Sequence, residues 1–127
     1  MGRQVIELIN IDDLPVNFGY PREYVRVLEL GITDLEPWVF LGGEELRATY
    51  AGLRERYSDQ SYVPFASRQD NDDIACWAHV PPEVVVVHDH ASPGWERRGR
   101  PPLPNFHSWF RIAVEDFIQW GEIELGL

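Results

Sequence analysis

Tyr62-Val63-Pro64-Phe65-Ala66-Ser67-Arg68-Gln69-Asp70-Asn71-Asp72-Asp73-Ile74-Ala75-Cys76-Trp77-Ala78-His79-Val80-Pro81-Pro82-Glu83-Val84-Val85-Val86-Val87-His88 is the stretch that decides the fold. Two β segments, Tyr62 to Ser67 and Ile74 to His79, flank a polar cluster, Arg68 to Asp73. Asp and Asn hydrogen-bond their own backbone and tolerate the left-handed region, so the cluster is turn chemistry and the pair reads as a hairpin. Pro81-Pro82 makes the next turn. Four consecutive valines, Val84 to Val87, then give the strongest strand signal, one that suits burial on both faces. The reading is a three-stranded antiparallel meander.

Helices are expected on either side of it. Pro21 opens a helix and Gly31 closes it, with Tyr24, Val27 and Leu28 on one face. Trp38 to Leu41 is a short buried strand ended by Gly42-Gly43. From Glu44 to about Tyr57, Leu46, Tyr50, Leu53 and Tyr57 repeat at i, i+4, i+7, i+11, and Glu44 and Glu45 sit in the first turn, where the helix dipole favours them. A Pro/Gly/Arg-rich loop, roughly Ala91 to Asn105, holds Arg97, Arg98 and Arg100; with few apolar anchors it is expected to move. The last helix is expected from Ser108 as N-cap to Gly121 as C-cap, with Phe110, Val114, Phe117 and Ile118 facing the core. Residues 4–11 fit an opening strand or a short helix equally well. The expected fold is therefore α+β, a single domain over residues 1–127, with a mostly antiparallel sheet and helices packed, in the simplest arrangement, on one side.

The 127 residues suit one domain, and 44% hydrophobic with 25% charged residues is ordinary globular composition. No apolar run approaches the roughly 20 residues of a membrane helix, and the start does not read as a secretory signal. Cys76 is the only cysteine, so no internal disulfide forms and a reducing cytoplasm is the expected compartment. Eleven basic residues, all arginine, stand against twenty-one acidic ones, a formal net charge of −10. Phosphate recognition needs a basic face, so nucleic acid is excluded as a partner, whereas a basic protein is attracted.

The densest polar constellation is Asp70-Asn71-Asp72-Asp73 with His88-Asp89-His90. Carboxylates and imidazoles together are metal-ligand material, and on a strand His88 and His90 point the same way. Yet the spacing fits no metal motif: counted from Asp70, the Gly and Glu positions of a calcium loop hold Ala75 and Pro81. No metal and no cofactor is expected. A metal-dependent hydrolase using His88, His90 and an Asp of 70–73 stays as an alternative. Cys76, inside a predicted strand, reads as a small inert hydrophobe. Trp77, Trp95 and Trp109 lie in or beside predicted loops, where an indole serves either as core or as an interface anchor.

Four segments resemble bacterial members of the SUKH superfamily: Glu36-Pro37-Trp38-Val39-Phe40-Leu41; the run from Pro64 to Trp77, the most specific of them; Val87-His88-Asp89-His90-Ala91-Ser92-Pro93-Gly94-Trp95-Glu96; and Phe106-His107-Ser108-Trp109-Phe110 through Glu115-Asp116-Phe117-Ile118. The superfamily includes a yeast regulator of cell-wall glucan synthesis and many bacterial immunity proteins. The resemblance implies a bent, mostly antiparallel sheet with helices around it. It also implies a binding protein without catalytic residues, one that neutralises a toxin domain. In that reading Asp70, Asp72, Asp73 and Asp89 carry the charge that meets a basic toxin, with Asn71 and Trp95 as further contacts. A regulatory scaffold without a toxin partner is the other non-enzymatic alternative.

Overall fold

A computed structural model describes residues 6–126, apart from the side chains of residues 123–125. After a 3-10 turn at Ile11–Asp13 come α1 (Arg22–Glu29), β1 (Asp34–Leu35), β2 (Trp38–Phe40), α2 (Gly43–Arg56), β3 (Val63–Arg68), β4 (Asp73–Trp77), β5 (Val84–His88) and α3 (Phe106–Leu125). The five strands pair antiparallel in chain order, β1-β2-β3-β4-β5. The expected meander is therefore present and is extended by β2 and by the two-residue β1, which is too short to show any periodicity.

The register explains the burial. Trp38 pairs with Arg68, Phe40 with Ala66, Ala66 with Ala75, Ala75 with Val86, and Trp77 with Val84. Cross-strand partners share a face, so these residues form one surface. The register shifts between Pro64 and Ala66. Pro64 has no N–H for the ladder, and a bulge is where a sheet accepts that loss and bends. The bulge brings Phe65 onto the same aromatic surface, 4.5 Å from Trp77 and 4.9 Å from Trp109 between ring centroids. Tyr24 of α1 meets Trp77 at 4.9 Å, and Trp109 of α3 meets Trp38 at 5.3 Å. These ring pairs, edge-on except for the tilted Phe65–Trp77 pair and all among buried residues, form the main core.

Helix α2 lies against the other face, where Ser67 pairs with Ile74 and Ile74 with Val87. Leu41, Ser67 and Ile74 share a cleft with Glu45 and Thr49 of that helix. Helices thus cover both faces, which corrects the one-sided arrangement. The reason is visible in β3, where Val63, Pro64, Phe65 and Ala66 are all buried.

The ends of α3 differ from those the sequence predicts, whereas the end of α1 agrees. Gly31 closes α1 with φ 74°, as expected of a left-handed cap. Helix α3 starts at Phe106, and the cap is Asn105, whose Oδ1 accepts from the Ser108 amide at 2.9 Å; Ser108 lies inside the first turn. The helix also continues past Gly121 to Leu125. Its core face is Phe106, Trp109 and Ala113, whereas Phe117 and Ile118 remain 45% and 49% exposed. Residues 6–10 form neither strand nor helix, and residues 4 and 5 lie outside the described residues. This segment packs all the same: Ile9, Leu14 and Phe18 are buried, and the Glu7 carbonyl accepts from the Gly43 amide at 2.8 Å. A Cβ on Gly42 would stand 2.5 Å from Cγ2 of Ile6, so a side chain there collides with this strap.

Candidate functional site

The β3–β4 turn, the end of β5 and the loop after it meet at one end of the sheet. The turn is set by Asn71, whose Oδ1 accepts from the Asp73 amide at 2.7 Å, an Asx turn of the expected kind. Asp70, Asn71 and Asp72 are exposed. The charges of the cluster, however, are answered from within the chain. Arg68 grips Asp70 through Nε and a terminal nitrogen at 2.8 and 3.0 Å. Arg56, from the end of α2, grips Asp89 in the same two-pronged way at 2.8 and 2.7 Å. Arg100 grips Asp73 at 3.0 and 3.2 Å. Planar guanidinium against planar carboxylate is the geometry that arginine provides and lysine does not.

Asp73 and Asp89 are buried, at 9% and 7% exposure. Burial pushes the Asp73 carboxyl up, but hydrogen bonds from Arg100 and His88 and their nearby charge outweigh it and hold the group below its ordinary value. The Asp70 carboxyl is lowered chiefly by its hydrogen bonds from Arg68. Carboxylates locked this way keep no proton to donate near neutral pH and make poor general acids. Asp73 and Asp89 therefore do not present free charge at the surface. Asp70 keeps its exposure but is paired; Asp72 is exposed and enters no ion pair among the described residues.

The two histidines part company. His88 Nδ1 lies 2.9 Å from Asp73 Oδ1 across the β4–β5 pair. His90 lies beyond the strand, with φ 66° and its side chain 65% exposed. The left-handed residue breaks the alternation that would have aligned the imidazoles. Among the described residues, no three of His, Cys, Asp and Glu are placed to hold a metal ion.

The loop after β5 is pinned, contrary to the mobility expected of it. Glu96 is buried; its carboxylate accepts from the Tyr62 hydroxyl at 2.6 Å and from the Gly94 amide at 2.7 Å. Its carbonyl accepts from the His88 amide at 2.6 Å, and Leu103 exchanges both backbone bonds with Val84 at 3.0 and 2.7 Å. Burial raises the Glu96 carboxyl, but those donors outweigh it and bring the group below its ordinary value. This segment covers the open edge of β5, which would otherwise invite strand pairing. Trp95, between two anchored neighbours, is 74% exposed, whereas Trp77 and Trp109 are fully buried.

Sequence reasoning missed Arg56, Arg100, Glu96 and Asp116. Asp116 of α3 accepts from the Trp38 indole at 2.9 Å and from Arg68 at 3.1 Å, which ties the turn to the last helix. The Arg68–Asp70 spacing was the only local signal; the other pairs join distant segments. No family model, curated protein or solved structure matches the chain.

Proposed function

We propose that the chain is a non-enzymatic binding protein of the SUKH immunity type, acting in the cytoplasm, that neutralises a toxin domain by occupying its surface. The observation that carries this reading is Trp95: a large indole held out to solvent on a backbone fixed by Glu96. Tryptophan is among the residues that most often supply interface energy, and an anchor fixed in advance loses little entropy on docking. The locked carboxylates and separated histidines favour this reading over the metal-dependent hydrolase. The net charge of −10 suits a basic partner, with exposed Asp72, Glu44 and Glu45 as steering charges rather than Asp73 and Asp89.

The test is survival of cells that co-express the chain with the toxin domain encoded beside its gene. Wild type protects, and folded Trp95→Ala protects at least roughly tenfold less, since an anchor residue is worth 2 kcal/mol or more. Equal protection by Trp95→Ala removes this residue from the interface. No protection by wild type favours the regulatory scaffold.

A further inference from the structure

Helix α3 carries two apolar stripes and the fold buries only one of them. Phe106, Trp109 and Ala113 enter the core. Phe110, Val114, Phe117, Ile118 and Gly121 fall at i, i+4, i+7, i+8 and i+11, so they share the adjoining stripe. Phe110 and Val114 are half-buried, Phe117 and Ile118 stand 45% and 49% exposed, and a Cβ built on Gly121 would meet nothing within 4 Å. Arg111 and Glu122, also i and i+11, run along one flank of this stripe. Both are exposed, and neither enters an ion pair among the described residues.

We propose that this stripe docks against the same stripe of a second copy, the two α3 helices antiparallel. The assignment to a second copy rests on self-complementarity. A two-fold axis beside residues 115 and 116 sets Val114 beside Phe117 and the large Phe110 opposite the small Gly121 of the other chain. The same axis maps each flank onto itself, reversed. Arg111 at the start of the flank then lies beside Glu122 at the end of its counterpart, and the pair forms twice. Parallel helices, related by a two-fold along their axes, would instead set this flank beside the opposite flank of the other chain, and Arg111 and Glu122 would not meet.

The test is sedimentation equilibrium of the full chain from roughly 1 µM to 1 mM. A monomer–dimer equilibrium is expected. Phe117→Gln with Ile118→Gln, both exposed sites given good helix formers, weakens it at least roughly tenfold. Arg111→Glu weakens it by up to roughly tenfold, through two repelling contacts, and Glu122→Arg added to it restores most of the loss. A monomer throughout the range overturns the proposal. So does a dimer that the two glutamines leave intact, or a charge swap that restores nothing. Should the glutamine variant fail to fold, as circular dichroism would show, the charge swap at two exposed positions decides alone.

Discussion

Trp77 and Trp95 carry the same side chain to opposite ends of the exposure scale, 0% against 74%. Trp77 sits at the end of β4, where the ladder sets its direction and rings from three other segments, Phe18, Tyr24 and Phe65, close around it. Trp95 sits in a segment without ladder pairing of its own, where a neighbouring buried carboxylate holds the backbone. Regular structure fixes the first and a polar anchor fixes the second. An irregular path is therefore no sign of mobility: what matters is where its backbone and its one buried charge are bonded.

The largest test of this comparison is Trp77→Ala. It opens a cavity among packed rings and costs about 3–5 kcal/mol, read as a fall in the denaturant midpoint. Trp77→Phe sharpens the point. The Trp77 indole nitrogen is buried without a partner among the described residues, so losing it strands no acceptor, and the change costs about 1–2 kcal/mol. An equal cost for both variants would show that the indole makes a bond the ring packing does not explain.

The next effect lies at the junction of the two regions, where Arg100 of the loop holds Asp73 of β4. Arg100→Ala leaves a buried carboxylate with His88 alone and costs about 2–3 kcal/mol at pH 7. The pH dependence has a definite sign. The folded Asp73 carboxyl is held below its ordinary value, so its stabilisation is present above the unfolded value of about 3.9 and is lost as pH falls through the lower folded value. The gap between wild type and Arg100→Ala is therefore widest near neutral pH and closes below about pH 4. A gap that stayed constant through that range would mean that Arg100 acts by packing and not through charge.

These two regions also show what was legible in the chain. The meander was, because Asx turn chemistry and a run of valines are local signals that the register then obeyed. The buried face of α3 was not. Apolar residues occupy two adjoining stripes of that helix, and the rings across the interface, Tyr24, Trp38, Phe40 and Phe65, select Phe106 and Trp109 over Phe117 and Ile118. The acidic cluster is legible as a turn, but its electrostatics are not. Counting charge along the chain cannot reveal that Arg56, Arg68 and Arg100 arrive from a helix, a strand and a loop to cancel three aspartates. The exposure of Trp95 fits its place beside a predicted loop, while Glu96 next to it, which fixes its backbone, looks in the sequence like any acidic residue.

Glu96→Gln tests that anchor with a smaller expected cost. The substitution keeps the shape and removes the charge from bonds with Tyr62 and Gly94, so it costs about 1–2 kcal/mol. Hydrogen exchange is the sharper reading. The amides of His88 and Gly94 exchange slowly in wild type and faster in the variant, while Val87 in the ladder is unchanged. Fast exchange at Gly94 in wild type would restore the mobile loop that composition suggested.

Trp95→Ala gives the smallest folding effect and the most telling one. An indole 74% exposed has little packing to lose, so truncation shifts stability by less than about 0.5 kcal/mol. The exchange of the Gly94 and His88 amides also stays slow, because those bonds run through Glu96 and the backbone. The readout that does change is spectroscopic: Trp95→Ala removes the largest share of the tryptophan emission that iodide quenches, since Trp77 and Trp109 are inaccessible. Were Trp95→Ala to destabilise the fold as much as Glu96→Gln, the indole would be bracing the loop, and the contrast between a packed and a presented tryptophan would collapse. With stability intact, any loss of protection in cells belongs to docking alone. That is why this substitution, and not one in the arginine–aspartate network, separates binding from folding.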